Sequence, residues 1–130
     1  MKEKDMMLDM LRNLALDRVA VTMLREDIAG IEKDEKQKEL PAVKREALVK
    51  ERVKLESCLE VTLHHISRME RLLAFLSPEE RAVLDHTLIN PRPEAVLDLA
   101  AELCCEPSRV YRIRARAVNK LIRLRFGAGE

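Results

Sequence analysis

Residues 95–126 read AVLDLAAELCCEPSRVYRIRARAVNKLIRLRF. Two amphipathic segments meet there at a turn. Ala100 is the small residue that lets two helices cross closely. Cys104 stands at the turn four positions on, and the branched Val110 follows six further on. That is the spacing of a helix-turn-helix. Leu97, Leu103 and Ile113 supply the remaining inward contacts. The spacing predicts a short helix over about Glu94 to Leu103 and a tight turn at Cys104-Cys105-Glu106. Pro107 then opens a last helix that runs to about Phe126 and stops at Gly127-Ala-Gly.

Upstream, Ser77-Pro78-Glu79-Glu80 carries three helix-start signals. Ser77 is the N-cap, Pro78 fills the first position, and Glu80 completes an S-x-x-E capping box. The helix is expected to run to about Leu88, where Asn90-Pro91-Arg92-Pro93 breaks it. Residues 77–126 therefore form one three-helix domain, followed by a tail at 127–130.

Residues 1–76 read as a long helical hairpin. Met7, Leu14, Val21 and Ile28 recur at heptad spacing, interleaved with Met10, Leu24 and Ile31. The charged run Glu32 to Glu39 has no apolar face and reads as a solvated end. Leu40-Pro41 fits a turn, with Pro41 at the start of a second helix. That helix carries Leu48, Leu55, Met69 and Leu76, interleaved with Leu59, Ile66 and Leu73. A short connection makes the two helices antiparallel neighbours. Between Met6 and Ile31, 16 of 26 residues are Ala, Val, Ile, Leu or Met, more than one partner helix covers. The surplus (Leu8, Leu11, Ala15, Leu16, Val19, Ala20 and Met23) needs a second surface. A homodimer through the long helices is the preferred reading, and packing on the C-terminal domain is the alternative.

Composition agrees with an all-α chain. Among 130 residues only three are aromatic (Phe75, Tyr111 and Phe126) and three are glycine. Three aromatics cannot furnish the base-stacking platforms of single-strand binders. No apolar run is long enough for a membrane span, and no signal peptide opens the chain, so no membrane contact and a cytoplasmic location are expected. Three cysteines without C-x-x-C spacing fit a reduced compartment. The net charge of +1 hides a strong asymmetry: residues 1–76 sum to 0, residues 77–106 to −5 and residues 107–126 to +7.

The stretch from Ala100 to Leu121 resembles region 4 of sigma-70-type factors through Ala100, Glu102, Leu103, Val110, Ile113, Arg116, Ala117, Lys120 and Leu121. Leu76-Ser-Pro-Glu-Glu-Arg-Ala-Val-Leu84 resembles the first helix of the same region. Nothing resembles a promoter-melting region 2. A two-helix extension before a lone region-4-like domain is similar to small phage and prophage regulators, the sigma-like late transcription regulators of the ArpU/RinA type. The resemblance implies a wingless three-helix domain and control of phage late-gene transcription. Cys104 replaces the usual glycine, whose freedom at positive φ it lacks. Pro107 and Ser108 replace the polar residues that read promoters, so recognition of a −35-like hexamer is not implied.

On the last helix, Val110, Ile113, Ala117, Leu121 and Leu124 form one stripe, and Arg109, Arg112, Arg116, Lys120 and Arg123 another. The first packs inward and the second faces out. In a helix-turn-helix the start of the second helix reaches bases and its later residues reach phosphates. Ser108, Arg109, Tyr111 and Arg112 are assigned to bases, where arginine pairs bidentately with guanine. Arg114, Arg116, Lys120 and Arg123 are assigned to phosphates. The expected partners are double-stranded DNA, a second copy of the chain and RNA polymerase. An RNA polymerase-binding sigma-like adaptor with little DNA affinity and a small-terminase-like packaging protein are the alternatives.

Other constellations are weaker. His64 and His65 are adjacent and point about 100° apart on a helix, a poor geometry for one metal ion with Cys58. Ser108, His86 and Asp98 lack a nucleophile elbow and an oxyanion loop. No phosphate-binding loop is present. No catalytic residue, metal or cofactor is expected.

Overall fold

A computed structural model describes residues 2–127; the remainder of the 127–130 tail, residues 128–130, lies outside the described residues. The chain is 84% helical and has no strand among the described residues. The helices are α1 (Lys2–Glu35), α2 (Ala42–Leu73), α3 (Pro78–Leu84), α4 (Ala95–Glu102) and α5 (Pro107–Phe126). Among the described residues, no helix is long and apolar enough to cross a membrane.

Two compact units divide the chain. The first takes the residues up to Ala15 together with those from Arg68 onward, and the second is Leu16–Ser67. The start of α1 and the last turns of α2 thus belong with α3, α4 and α5.

In the first unit, Met7, Leu11 and Leu14 of α1 are fully buried, as are Leu73, Val83, Leu84, Leu99, Val110 and Ile113. The spacing of Met7, Leu11 and Leu14 puts all three on one side of the helix. Each aliphatic side chain so enclosed contributes roughly 1.5–3 kcal/mol relative to exposure. Of the apolar surplus on α1, Leu11 is covered here, and Leu8 and Ala15 are half-buried.

The α3 helix starts through its capping box. Ser77 accepts from the Glu80 amide at 3.2 Å, and Glu80 Oε1 accepts from the Ser77 amide at 2.9 Å. The α-helical part is shorter than the sequence suggests. It ends at Leu84 and passes into a π-helical turn, Asp85–Ile89. The Asn90 amide donates to the Asp85 carbonyl at 2.8 Å, which closes the wider turn. Pro91 explains the exit: it has no amide to extend the ladder, and it disfavours the α conformation at Asn90. Asn90 accordingly sits at φ −125°, ψ 72°.

In the second unit, Val21, Ile28 and Ile31 of α1 are buried, while Leu48, Leu55, Leu59 and Ile66 of α2 are half-buried. The connection between the helices is held by arginines. Arg45 donates to the carbonyls of Glu35 and Gln37, at 2.5 and 3.0 Å. Arg52 Nε donates to Glu35 at 2.7 Å, and its Nη1 donates to Glu56 at 2.6 Å. Hydrogen bonds to these carboxylates, Glu35 first, push the Arg52 pKa above its ordinary value. The α1 helix reaches Glu35 although residues 32–35 have no apolar face; Arg45 donates to the Glu35 carbonyl, and the Glu35 side chain is held by Arg52 rather than solvated.

Candidate nucleic-acid interface

The α4–turn–α5 segment is built on one apolar cluster. Val83, Leu99, Ala100, Val110 and Ile113 form it, with Val96, Leu103 and Cys105 packed on its edge. Ala100 lies in the cluster because its methyl lets α4 and α5 approach closely.

Leu97 is not an inward contact. The motif spacing predicts one there, but the side chain is 58% exposed. The α4 helix buries Ala95, Leu99 and Ala100, a stripe at i, i+4 and i+5. Leu97 lies two residues from either side of that stripe, about 200° around the helix from Ala95. Leu99 holds the inward position instead.

The turn is made by the residue that replaces glycine. Cys104 adopts φ +53° despite its side chain, a left-handed conformation that costs a non-glycine residue on the order of 1 kcal/mol. Its thiol is exposed, whereas that of Cys105 is partly buried against the cluster. The Cys105 amide donates to the Ala100 carbonyl at 2.9 Å, and the Cys104 amide to Ala101 at 3.2 Å. These bonds satisfy carbonyls at the end of α4 and reverse the chain. Glu106 is extended, and Pro107 starts α5 at its first turn. At the far end Gly127, at φ +80°, donates its amide to Arg123 at 2.8 Å.

Val110, Ile113, Ala117, Val118 and Leu121 are the buried residues of α5. Ser108, Arg109, Arg112, Arg116, Lys120 and Arg123 are all exposed. With 100° per residue, Arg109, Arg112, Arg116, Lys120 and Arg123 fall within about 80° of arc. They form a continuous basic face with no acid on the helix.

One edge of that face, where Arg109 and Lys120 lie about 20° apart, is ion-paired to α3. Arg109 Nη2 lies 3.7 Å from Glu79, and Lys120 Nζ lies 3.5 Å from Glu80. Glu80 is the buried member of its capping box. The Ser77 amide holds its carboxyl below the ordinary carboxylate range, burial opposes this, and the Ser77 hydroxyl and Lys120 reinforce it. Arg112, Arg116 and Arg123 carry no ion pair among the described residues. Arg116, Asn119, Lys120, Ile122 and Arg123 line a shallow open groove beside Glu80.

Arg114 is half-buried on the other side of α5, about 160° from Arg112 counted the shorter way round. With Tyr111, Ala115, Val118 and Asn119 it lines a recess completed by Lys4 and Leu8 of α1. Arg125 stacks on Phe126 at 5.2 Å, and its Nε is buried without a hydrogen-bond partner.

The residues assigned to bases and phosphates therefore do not share one face. Ser108, Arg109, Arg112, Arg116, Lys120 and Arg123 stand together; Arg114 and, partly, Tyr111 do not. Sequence reasoning missed the acids Glu79 and Glu80 as partners of this face. The capping box identified Glu80, but nothing in a one-dimensional pattern links it to a lysine 40 residues away. It also missed Leu99, which the i, i+4 relation to Ala95 marks. No group of three or more His, Cys, Asp or Glu side chains among the described residues could hold a metal ion.

The chain matches no family model, no curated protein and no solved structure.

Proposed function

We propose that this protein is a DNA-binding transcription regulator of the phage or prophage type. In this reading α4 and α5 act as a sigma-region-4-like helix-turn-helix, and α5 enters the major groove of duplex DNA. The α1–α2 pair forms a helical hairpin that assembles two copies of the chain. The observation that carries the reading is the outward face of α5. Five exposed basic side chains occupy one stripe, no acid shares their helix, and an apolar cluster fixes that helix from behind.

The residues of the stripe without an ion pair are best suited to DNA. Arg112, near the start of α5, meets a base edge, and Arg116 and Arg123 meet phosphates. Arg109 reaches DNA by exchanging Glu79 for a phosphate or base. Lys120 pairs with the buried Glu80, whose carboxylate is itself fixed by the Ser77 amide, so this lysine is tied to α3 where Arg112, Arg116 and Arg123 are not. Its role is to brace α5 against α3. Ser108 and Tyr111 flank the base-reading position, and Arg114 with Lys4 meets the opposite phosphate strand.

Binding to promoter fragments from neighbouring genes, measured across salt, tests the reading. With about five phosphate contacts, log K falls against log salt with a slope near −4.5. Arg112→Ala weakens a specific site by roughly tenfold to a hundredfold and random DNA much less, while Arg116→Ala weakens both alike. Absence of DNA affinity at low salt, with retention of the chain on RNA polymerase, overturns the reading in favour of the polymerase-binding adaptor.

A further inference from the structure

The α1 helix carries an apolar face that its own unit leaves uncovered. Leu16, Val19 and Met23 are 66%, 56% and 58% exposed. Their spacing, i, i+3 and i+7, puts them on one stripe. At 100° per residue that stripe lies roughly opposite the buried Val21 and Ile28.

Charges bracket the stripe in a definite order. Arg12 lies four residues before Leu16, and Asp27 lies four residues after Met23. The helix is uninterrupted throughout, so both lie on the same face. Neither forms an ion pair among the described residues, and both are exposed. The order is self-complementary under reversal. Positions 12 and 27, and positions 16 and 23, are symmetric about the midpoint between Val19 and Ala20. Laid antiparallel on a second copy, Leu16 meets Met23, the two Val19–Ala20 pairs meet at the centre, and Arg12 meets Asp27. A parallel pairing sets Arg12 against Arg12 and Asp27 against Asp27, which repel.

We propose that this face binds a second copy of the chain, with α1 against α1 antiparallel and the two-fold axis beside residues 19 and 20. The inference specifies the assembly element of the proposed function and does not depend on DNA binding. Leu16, Val19 and Met23 remain for a partner once Leu11 is buried within the chain. An isologous contact of this kind closes at two copies. Three large apolar side chains per copy cover less than the roughly 800 Å² per partner of a standard interface. The dimer is therefore weak, with a dissociation constant on the order of micromolar.

Sedimentation equilibrium of the full chain over a micromolar concentration series, without DNA, tests this. The unaltered chain sediments as a reversible dimer. Val19→Glu is monomeric throughout, with unchanged helix content by circular dichroism, since it alters an exposed position. Arg12→Glu weakens association about tenfold, because two symmetry-related exposed pairs turn from attraction to repulsion. Adding Asp27→Arg to Arg12→Glu restores association to within about twofold of the unaltered chain. A monomer at every concentration, a Val19→Glu chain that dimerises like the original, or a double variant no tighter than Arg12→Glu overturns the proposal. These outcomes are read from mass alone, so a failure to bind DNA leaves them unaffected.

Discussion

The α5 helix and the middle of α1 are both amphipathic, yet their uncovered faces are opposite in kind. Outside its buried stripe, α5 presents Arg109, Arg112, Arg116, Lys120 and Arg123. Outside its own buried stripe, α1 presents Leu16, Val19 and Met23. A charged face can remain solvated indefinitely, and it gains when a polyanion replaces its counterions. An apolar face gains only when another apolar surface removes it from water. The two helices thus ask for different partners. The contrast also extends to what holds each residue: the start of α5 is fixed by a cluster drawn from three helices, whereas residues 16–23 of α1 project three large side chains into solvent.

The largest test of that contrast is a core truncation in the α4–α5 cluster. Leu99→Ala removes a fully buried side chain and is expected to cost about 2–5 kcal/mol in denaturant unfolding. Leu97→Ala, two residues away and exposed, is expected to change stability by no more than about 0.5 kcal/mol. Similar costs for the two would break the assignment of the α4 face.

The next test addresses the brace between α3 and α5. Ser77→Ala removes the capping acceptor and is expected to cost about 0.5–2 kcal/mol. Glu80→Gln keeps an acceptor for the Ser77 amide but loses the charge facing Lys120. The Glu80 carboxyl is held below its ordinary range when folded, so its ionised form stabilises the fold above the unfolded pKa of about 4.3. That contribution disappears as pH falls through the depressed folded value. The difference in unfolding midpoint between the unaltered chain and Glu80→Gln should therefore be present at neutral pH and vanish in strong acid. A difference that grows on acidification would contradict the linkage.

The smallest effect lies in α1. Gly30 is inside a helix, and a methyl group added there meets nothing within 4 Å. Gly30→Ala is expected to stabilise the chain by about 0.5–1 kcal/mol, through the flexibility it removes from the unfolded state. Thermal unfolding checks the sign; a loss of stability would contradict the open surroundings of Gly30.

Local patterns in the sequence carried much of the helical layout. Ser77, Pro78 and Glu80 fix the start of α3 because capping is a contact among residues three apart. Pro107 and Gly127 bound α5 for equally local reasons, a preset φ at one end and a positive φ at the other. The heptad positions Met7, Leu14, Val21 and Ile28 are buried because helical periodicity puts them on one side. What escaped was non-local. The π-helical turn at Asp85–Ile89 arises from competition between helix continuation and Pro91. Leu97 fits the motif spacing, yet Leu99 is the buried residue, because the angle around α4 decides which side faces the cluster. Pairing of Glu79 and Glu80 with Arg109 and Lys120 depends on how α3 crosses α5, which no spacing encodes.

By itself, then, the sequence determined an all-helical chain, its main helix ends and a basic final helix, since propensity, capping and periodicity are local properties. Tertiary structure alone decided which basic residues stay unpaired, that Cys104 accepts a left-handed turn, and that the start of α1 packs into the same unit as α3–α5. Those outcomes depend on which surfaces meet, and burial and ion pairing act between residues that the chain order keeps far apart.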